Sequence, residues 1–360
     1  MISPDIIARL REELAREIQS HSPPAPRPLP ISPWLAMSLL QKAIRRGHEE
    51  FALQAAATLL DQAPDRFWRR AAIIAFEDVG IADLEAIGLA VASLAGKRFR
   101  AQLGGEWVVA SFVTQRLVNA DKCRAADDLV SVIERYPLHE QSRLGLTYEA
   151  LPHLIRTATS DAPLPVRALA TWYAIGTDRC RSDYLRIRRG APQAFFDTLL
   201  EMGYPLTTVE IAREGFRRTN QILCPFLPLL ASEKQDEPRL VTDDAMPPEK
   251  MCGPLPSWAL DMFSRPGRKA LKLFLGQNCG SARWVRTHAP RSKQIDLFGN
   301  ILFGVESSLM KRRYRWRGGE ELRRLAETEC QGPFCPDATE VMDLLRDDIH
   351  ILNEVRSHVL

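Results

Sequence analysis

Three carboxylates stand close together in the stretch EDVGIAD: Glu77, Asp78 and Asp83, with Gly80 between them. Acids beside a glycine could hold a divalent cation or exchange protons with a substrate. They could equally close one helix and cap the next. The spacing matches no EF-hand or other recognised cation loop. A second stretch with chemistry in it is KRRYRWR, in which Lys311, Arg312, Arg313, Arg315 and Arg317 alternate with Tyr314 and Trp316. Cations of this kind bind phosphates and aromatic faces stack on bases, a combination that suits single-stranded nucleic acid. If the segment is helical its charges surround the axis rather than forming one stripe; if it is extended, Tyr314 and Trp316 share one face and the arginines the other. The same pattern also fits two rings anchored in a core with solvated arginines around them. Arg268, Lys269 and Lys272, with Arg265, Arg283, Arg286, Arg291 and Lys293, add cations to the same third of the chain. Cys330 and Cys335, separated by four residues, leave a zinc site two ligands short. No phosphate loop, nucleophile elbow, zinc-protease helix or dinucleotide glycine pattern occurs, so no enzyme activity, metal or cofactor is expected.

The elements that position these residues read as helices, and the fold class is expected to be all-α. Residues 1–20 form a helical arm, with Ile6, Ile7, Leu10, Leu14 and Ile18 on one stripe that must pack on the body or on a partner. The proline-rich segment 21–33 is a stiff extended linker. Residues 34–230 read as a multi-helix body. Gly47 is a stop for the first helix, Pro64 opens the third, and Asp83 caps the helix that begins at Leu84. Glu77 and Asp78 then lie at a helix end, within reach of Arg69 or Arg70 one or two turns back. Residues 231–256, polar and rich in proline, read as a second linker, and 257–360 as a basic, mainly helical module with an acidic tail.

Composition narrows the function classes. A chain of 360 residues with 45% hydrophobic and 26% charged residues is an ordinary folding polypeptide. No apolar run is long enough to span a membrane, and the N-terminus lacks a signal-peptide core, so a cytoplasmic protein that avoids membranes is expected. Seven scattered cysteines suit reduced thiols. The formal net charge is only +3, yet residues 265–326 carry fifteen Lys or Arg against four acids. Such asymmetry describes an anion-facing region, and nucleic acid is the leading polyanion.

The segment from Leu39 to Ser93 also resembles a known family. Lys42, Arg45 and Gly47, the helix FALQAAATLL, the pair Arg69 and Arg70, and then Glu77, Asp78, Gly80 and Asp83 are similar to the helical region that follows the ATPase core in the replication-associated recombination protein A (RarA) family of clamp-loader-like AAA+ proteins. The likeness covers about residues 35–95. The serine that precedes the acids in that pattern is Phe76 here, no proline follows Asp83, and the ATPase itself is missing. The resemblance implies a collar-like helical body used in assembly rather than hydrolysis. Two roles follow: an accessory protein of DNA replication, recombination or a mobile element that contacts single-stranded or forked DNA and assembles with itself or with a replication or repair protein, or a scaffold that meets an acidic protein partner without DNA.

Overall fold

The computed structural model describes residues 5–233 and 239–360. It is 67% helical with 4% strand, which makes the protein all-α. The arm is α1 (Ile6–Ile18), whose N-cap Asp5 accepts from the Ala8 amide at 3.0 Å. The extended segment that follows is fastened down along its length: Trp107 donates to the Pro24 carbonyl at 2.6 Å and the Leu29 amide to Thr58 Oγ1 at 2.8 Å. The body begins with α2 (Pro33–Arg46), capped by Ser32 and stopped by Gly47 at φ 68°. It continues through α3 (Glu49–Gln62), α4 (Pro64–Ile74), α5 (Leu84–Ser93), α6 (Lys97–Gln102), α7 (Glu106–Asn119), α8 (Ala125–Arg135), α9 (Glu140–Thr147), α10 (Leu151–Ala158), α11 (Leu164–Ile175), α12 (Pro192–Glu201), α13 (Leu206–Thr219) and α14 (Leu223–Glu233). The apolar stripe of α1 finds its partners on α5 and α13, so the arm is part of the body.

The C-terminal third contains α15 (Arg265–Phe274), α16 (Gly280–His288), α17 (Gln294–Leu302), α18 (Arg317–Thr328) and α19 (Ala338–Ser357). Four short strands accompany them: β1 (Leu240–Thr242), β2 (Met251–Cys252), β3 (Leu255–Pro256) and β4 (Arg313–Arg315). β1 pairs antiparallel with β4, Leu240 opposite Arg315, and β2 pairs with β3. Part of the expected linker 231–256 is therefore sheet. Its Lys234 to Pro238 lie outside the described residues.

Two hydrophobic cores divide the chain differently from the expected modules. Leu271, Phe274, Val285, Phe298, Leu302, Leu345 and Leu352 form a smaller core among α15, α16, α17 and α19. Tyr314, Trp316, Leu322 and Leu325 instead join the large core of the body, because α18 packs on α8. Apolar residues on α18 recur at Leu322, Leu325 and Ala326, a stripe too narrow to bury on its own and closed by α8.

Candidate nucleic-acid interface

The acids of EDVGIAD come first, because their geometry decides between chemistry and architecture. α4 runs into a π-helical turn, Ala75–Val79, which carries Glu77 and Asp78. Asp78, fully buried, accepts from Arg45 Nε at 2.6 Å, Arg124 Nη1 at 2.7 Å and Gln41 Nε2 at 3.1 Å. Glu77 accepts from Arg45 Nη2 at 2.7 Å and Arg124 Nη1 at 3.0 Å. Burial pushes the Glu77 carboxyl up, but Arg45 and Arg124 outweigh it and hold it at about 2. The expected pairing with Arg69 or Arg70 does not form. Arg69 donates to the Thr219 carbonyl and Arg70 to Gln41 Oε1. Gly80 sits at φ 51°, and a Cβ there would lie 2.4 Å from the Cys123 carbonyl oxygen, so only glycine fits. Asp83 caps α5 as expected, accepting from the Ala86 amide at 2.9 Å.

This buried network ties the body to the C-terminal third. Arg45 also donates to the Ser307 carbonyl at 2.9 Å, and Lys42 pairs with Asp261 at 2.6 Å. Burial lowers the Lys42 ammonium while Asp261 opposes the shift. Glu306 and Arg356, both fully buried, form a two-pronged pair at 2.6 and 2.9 Å. No motif in the sequence pointed to Arg124, Asp261, Glu306 or Arg356. They are joined only by the fold.

The KRRYRWR segment is enclosed by acids from three other places. Arg313, buried, donates to both oxygens of Asp244 and to the Ser308 carbonyl at 3.1 Å. Arg315 contacts Thr242 Oγ1, Glu320 and Asp244, Arg312 pairs with Asp121 at 2.7 Å, and Lys311 lies 3.4 Å from Asp243. Tyr314 and Trp316 are buried in the large core. Neither ring presents a face for a base, which corrects the expectation of an aromatic stacking surface here. Among this run, Lys311, Arg312 and Arg317 have exposed side chains. The physical reason is register: β1 brings Asp243 and Asp244 to the edge of β4, and a buried guanidinium needs such partners.

The remaining expected cations are placed quite differently. α15 buries Gly267, Ala270, Leu271 and Phe274, and exposes Arg265, Arg268, Lys269 and Lys272. Those four positions recur at spacings of three and four, so they share one face of the helix. Ser264 caps the helix, accepting from the Gly267 amide at 3.1 Å, and a Cβ at Gly267 would collide with the Asp261 carbonyl at 1.9 Å. Arg268 reaches Asp296 at 3.3 Å across a solvent-exposed gap, which brings the start of α17 and the exposed Lys293 beside this face. Arg265, Lys269, Lys272 and Lys293 make no ion pair among the described residues.

Comparison with protein-family models, with curated proteins and with solved structures finds no match.

A cavity of about 600 Å³ lies where α2, α8 and α18 meet Phe263 and Phe303, and it is lined by Lys42, Arg45, Arg70, Glu77 and Asp128 among others. Burial pushes the Asp128 carboxyl up to about 7, against the pull of Arg124. The Asp128 carboxylate accepts no hydrogen bond among the described residues, so no acid–base partner is aligned with it. Glu77 and Lys42 line this cavity with their charges committed to Arg45, Arg124 and Asp261. All seven cysteines are free, and burial pushes the thiols of Cys330 and Cys335 up to about 11.

Proposed function

We propose that the protein is a non-enzymatic accessory factor of DNA metabolism that binds nucleic acid through the exposed face of α15. The observation that carries this reading is the row of Arg265, Arg268, Lys269 and Lys272 on one solvent-facing stripe, with a single exposed acid, Asp296, in contact with it. Four cations share this exposed face and, among the described residues, only Arg268 has an acidic partner, so the face is suited to a polyanion such as a phosphate backbone. The contact would be to backbone phosphates and independent of sequence, because the face carries no group placed to read base edges.

The resemblance of residues 35–95 to the RarA helical region supports replication or recombination as the setting, with assembly as the role of the body. The commitment of Glu77 and Asp78 to Arg45 and Arg124 supports an architectural part for the motif that carries the likeness. No described helix is long and apolar enough to cross a membrane. A cytoplasmic location belongs to the same proposal.

Fluorescence-anisotropy titration of single-stranded, duplex and forked DNA tests the reading, with wild type beside a variant in which Arg265, Arg268, Lys269 and Lys272 become Gln. Binding that weakens in the variant supports it. No binding by the wild type at low salt refutes it and leaves an acidic protein as the partner to seek.

A further inference from the structure

The loop between α11 and α12 is rich in arginine and was not marked by any motif. Between Asp178 and Arg189 it carries five arginines against two aspartates, Asp178 and Asp183. Its backbone is fixed. Arg189 bridges to Gly176, the Asp178 amide donates to the Arg188 carbonyl at 3.1 Å, and Thr177 Oγ1 donates to the Arg186 carbonyl at 2.7 Å while accepting from the Arg188 amide at 2.8 Å. Two of its own residues, Cys180 and Leu185, are buried, and Trp172 donates to the Cys180 carbonyl at 2.7 Å.

Arg188 fastens this loop to the corner between α9 and α10, donating to the carbonyls of Thr147 and Glu149 at 3.1 and 2.8 Å. Tyr148 stands at that corner and is 74% exposed; Tyr184, on the loop, is 56% exposed. The Arg186 guanidinium lies over the Tyr148 ring, 5.3 Å from its centroid, and donates to its hydroxyl. Arg179, Arg181 and Arg189 are exposed and make no ion pair among the described residues. Exposed rings on a rigid backbone, flanked by unpaired guanidinium groups, are the composition that KRRYRWR promised and its burial withdrew.

We propose that Tyr148 and Tyr184 are stacking platforms for the bases of single-stranded nucleic acid, with Arg179, Arg181 and Arg189 meeting its phosphates. This rests on the nucleic-acid reading above and adds to it the strand form and a second contact surface. Single strands expose base faces to flat rings, whereas a duplex hides them. An acidic peptide would satisfy the arginines and leave both rings without a partner. The loop is already ordered, so little conformational entropy is lost on binding.

The test uses a thymine-rich single strand carrying one 2-aminopurine, and a duplex of equal length, titrated with wild type, Y148A/Y184A, Y148F/Y184F and the α15 glutamine variant. Both tyrosines lie on the surface, so a thermal melt should place the Ala pair beside wild type. The expected result is a loss of roughly tenfold or more in single-strand affinity for the Ala pair. Duplex affinity should be unchanged, the Phe pair should keep wild-type affinity, and 2-aminopurine should be quenched by wild type but not by the Ala pair. Unchanged single-strand affinity in the Ala pair, or an equal loss on duplex, overturns this inference alone. If the α15 variant then still loses affinity, the α15 reading stands. A wild type that binds neither probe overturns both.

Discussion

Replacing Asp78 with Ala removes the acceptor that neutralises two buried guanidinium groups. Asp78 is fully buried, as are its partners Arg45 and Arg124. Three hydrogen bonds disappear, those from Arg45 Nε, Arg124 Nη1 and Gln41 Nε2. Glu77 and Asp127 remain beside the two arginines, so the charge is only partly uncompensated. Breaking a buried pair from one side costs about 3–5 kcal/mol, a large share of the ~5–15 kcal/mol typical of folded proteins. Guanidinium denaturation followed by circular dichroism should therefore show a much lower midpoint with little change in slope. Removing Arg45 as well, in an Arg45→Met/Asp78→Ala double variant, should cost clearly less than the sum of the single losses, because the orphaned charge goes with it. A loss below about 1 kcal/mol for Asp78→Ala, or strict additivity in the cycle, would contradict the architectural account of these acids. So would an Asp78→Asn protein that folds like wild type and yet loses a measurable activity.

Other outcomes follow from the same contacts. Asp244→Ala strands Arg313 without its counter-ion and should cost about 3 kcal/mol in denaturation, with DNA affinity preserved below its melting temperature. Trp316→Ala removes a ring from the large core and should cost about 3–5 kcal/mol. Asp128 keeps its proton in the folded chain up to about pH 7, while the unfolded chain releases it near 3.8. Its ionisation therefore favours unfolding: stability falls as pH rises from about 4 to 7, and the penalty is fully present above that window. Asp128→Asn should match wild type near pH 4 and exceed it at pH 8 by about 2 kcal/mol, a figure reduced for solvent at the cavity mouth. Equal stability of the two proteins at pH 8 would refute the burial of that charge.

Local signals in the sequence carried well because their physics is local. The stop at Gly47, the turn at Gly80 and the cap at Asp83 depend on residues within four positions, and each is present in the fold. The helical arm was legible for the same reason, its stripe at Ile6, Leu14 and Ile18 being buried. Long-range pairing was not legible. Nothing near Glu77 in sequence points to Arg124, and nothing near Arg313 points to Asp244, 69 positions away. The alternation in KRRYRWR left helix and strand both open, and its burial depends on β1, a three-residue strand inside what reads as a linker. Of the candidate cations, the α15 set was the one whose exposure could be inferred, since apolar Ala270, Leu271 and Phe274 define the opposite face. The arginine loop carries no local signal, because its link to the Tyr148 corner, about 40 positions earlier in the chain, runs only through Arg186 and Arg188.

The most direct test of nucleic-acid binding by α15 is the slope of log affinity against log salt for a duplex, measured for wild type and for the variant with Arg265, Arg268, Lys269 and Lys272 changed to Gln. Each phosphate contact contributes about 0.9 to the slope, so loss of four contacts should flatten it by roughly 3 to 4. A variant that binds more weakly with that flatter slope, while a variant at Lys311 and Arg312 keeps the wild-type slope, is the predicted result. An α15 variant with unchanged affinity and slope would contradict the account.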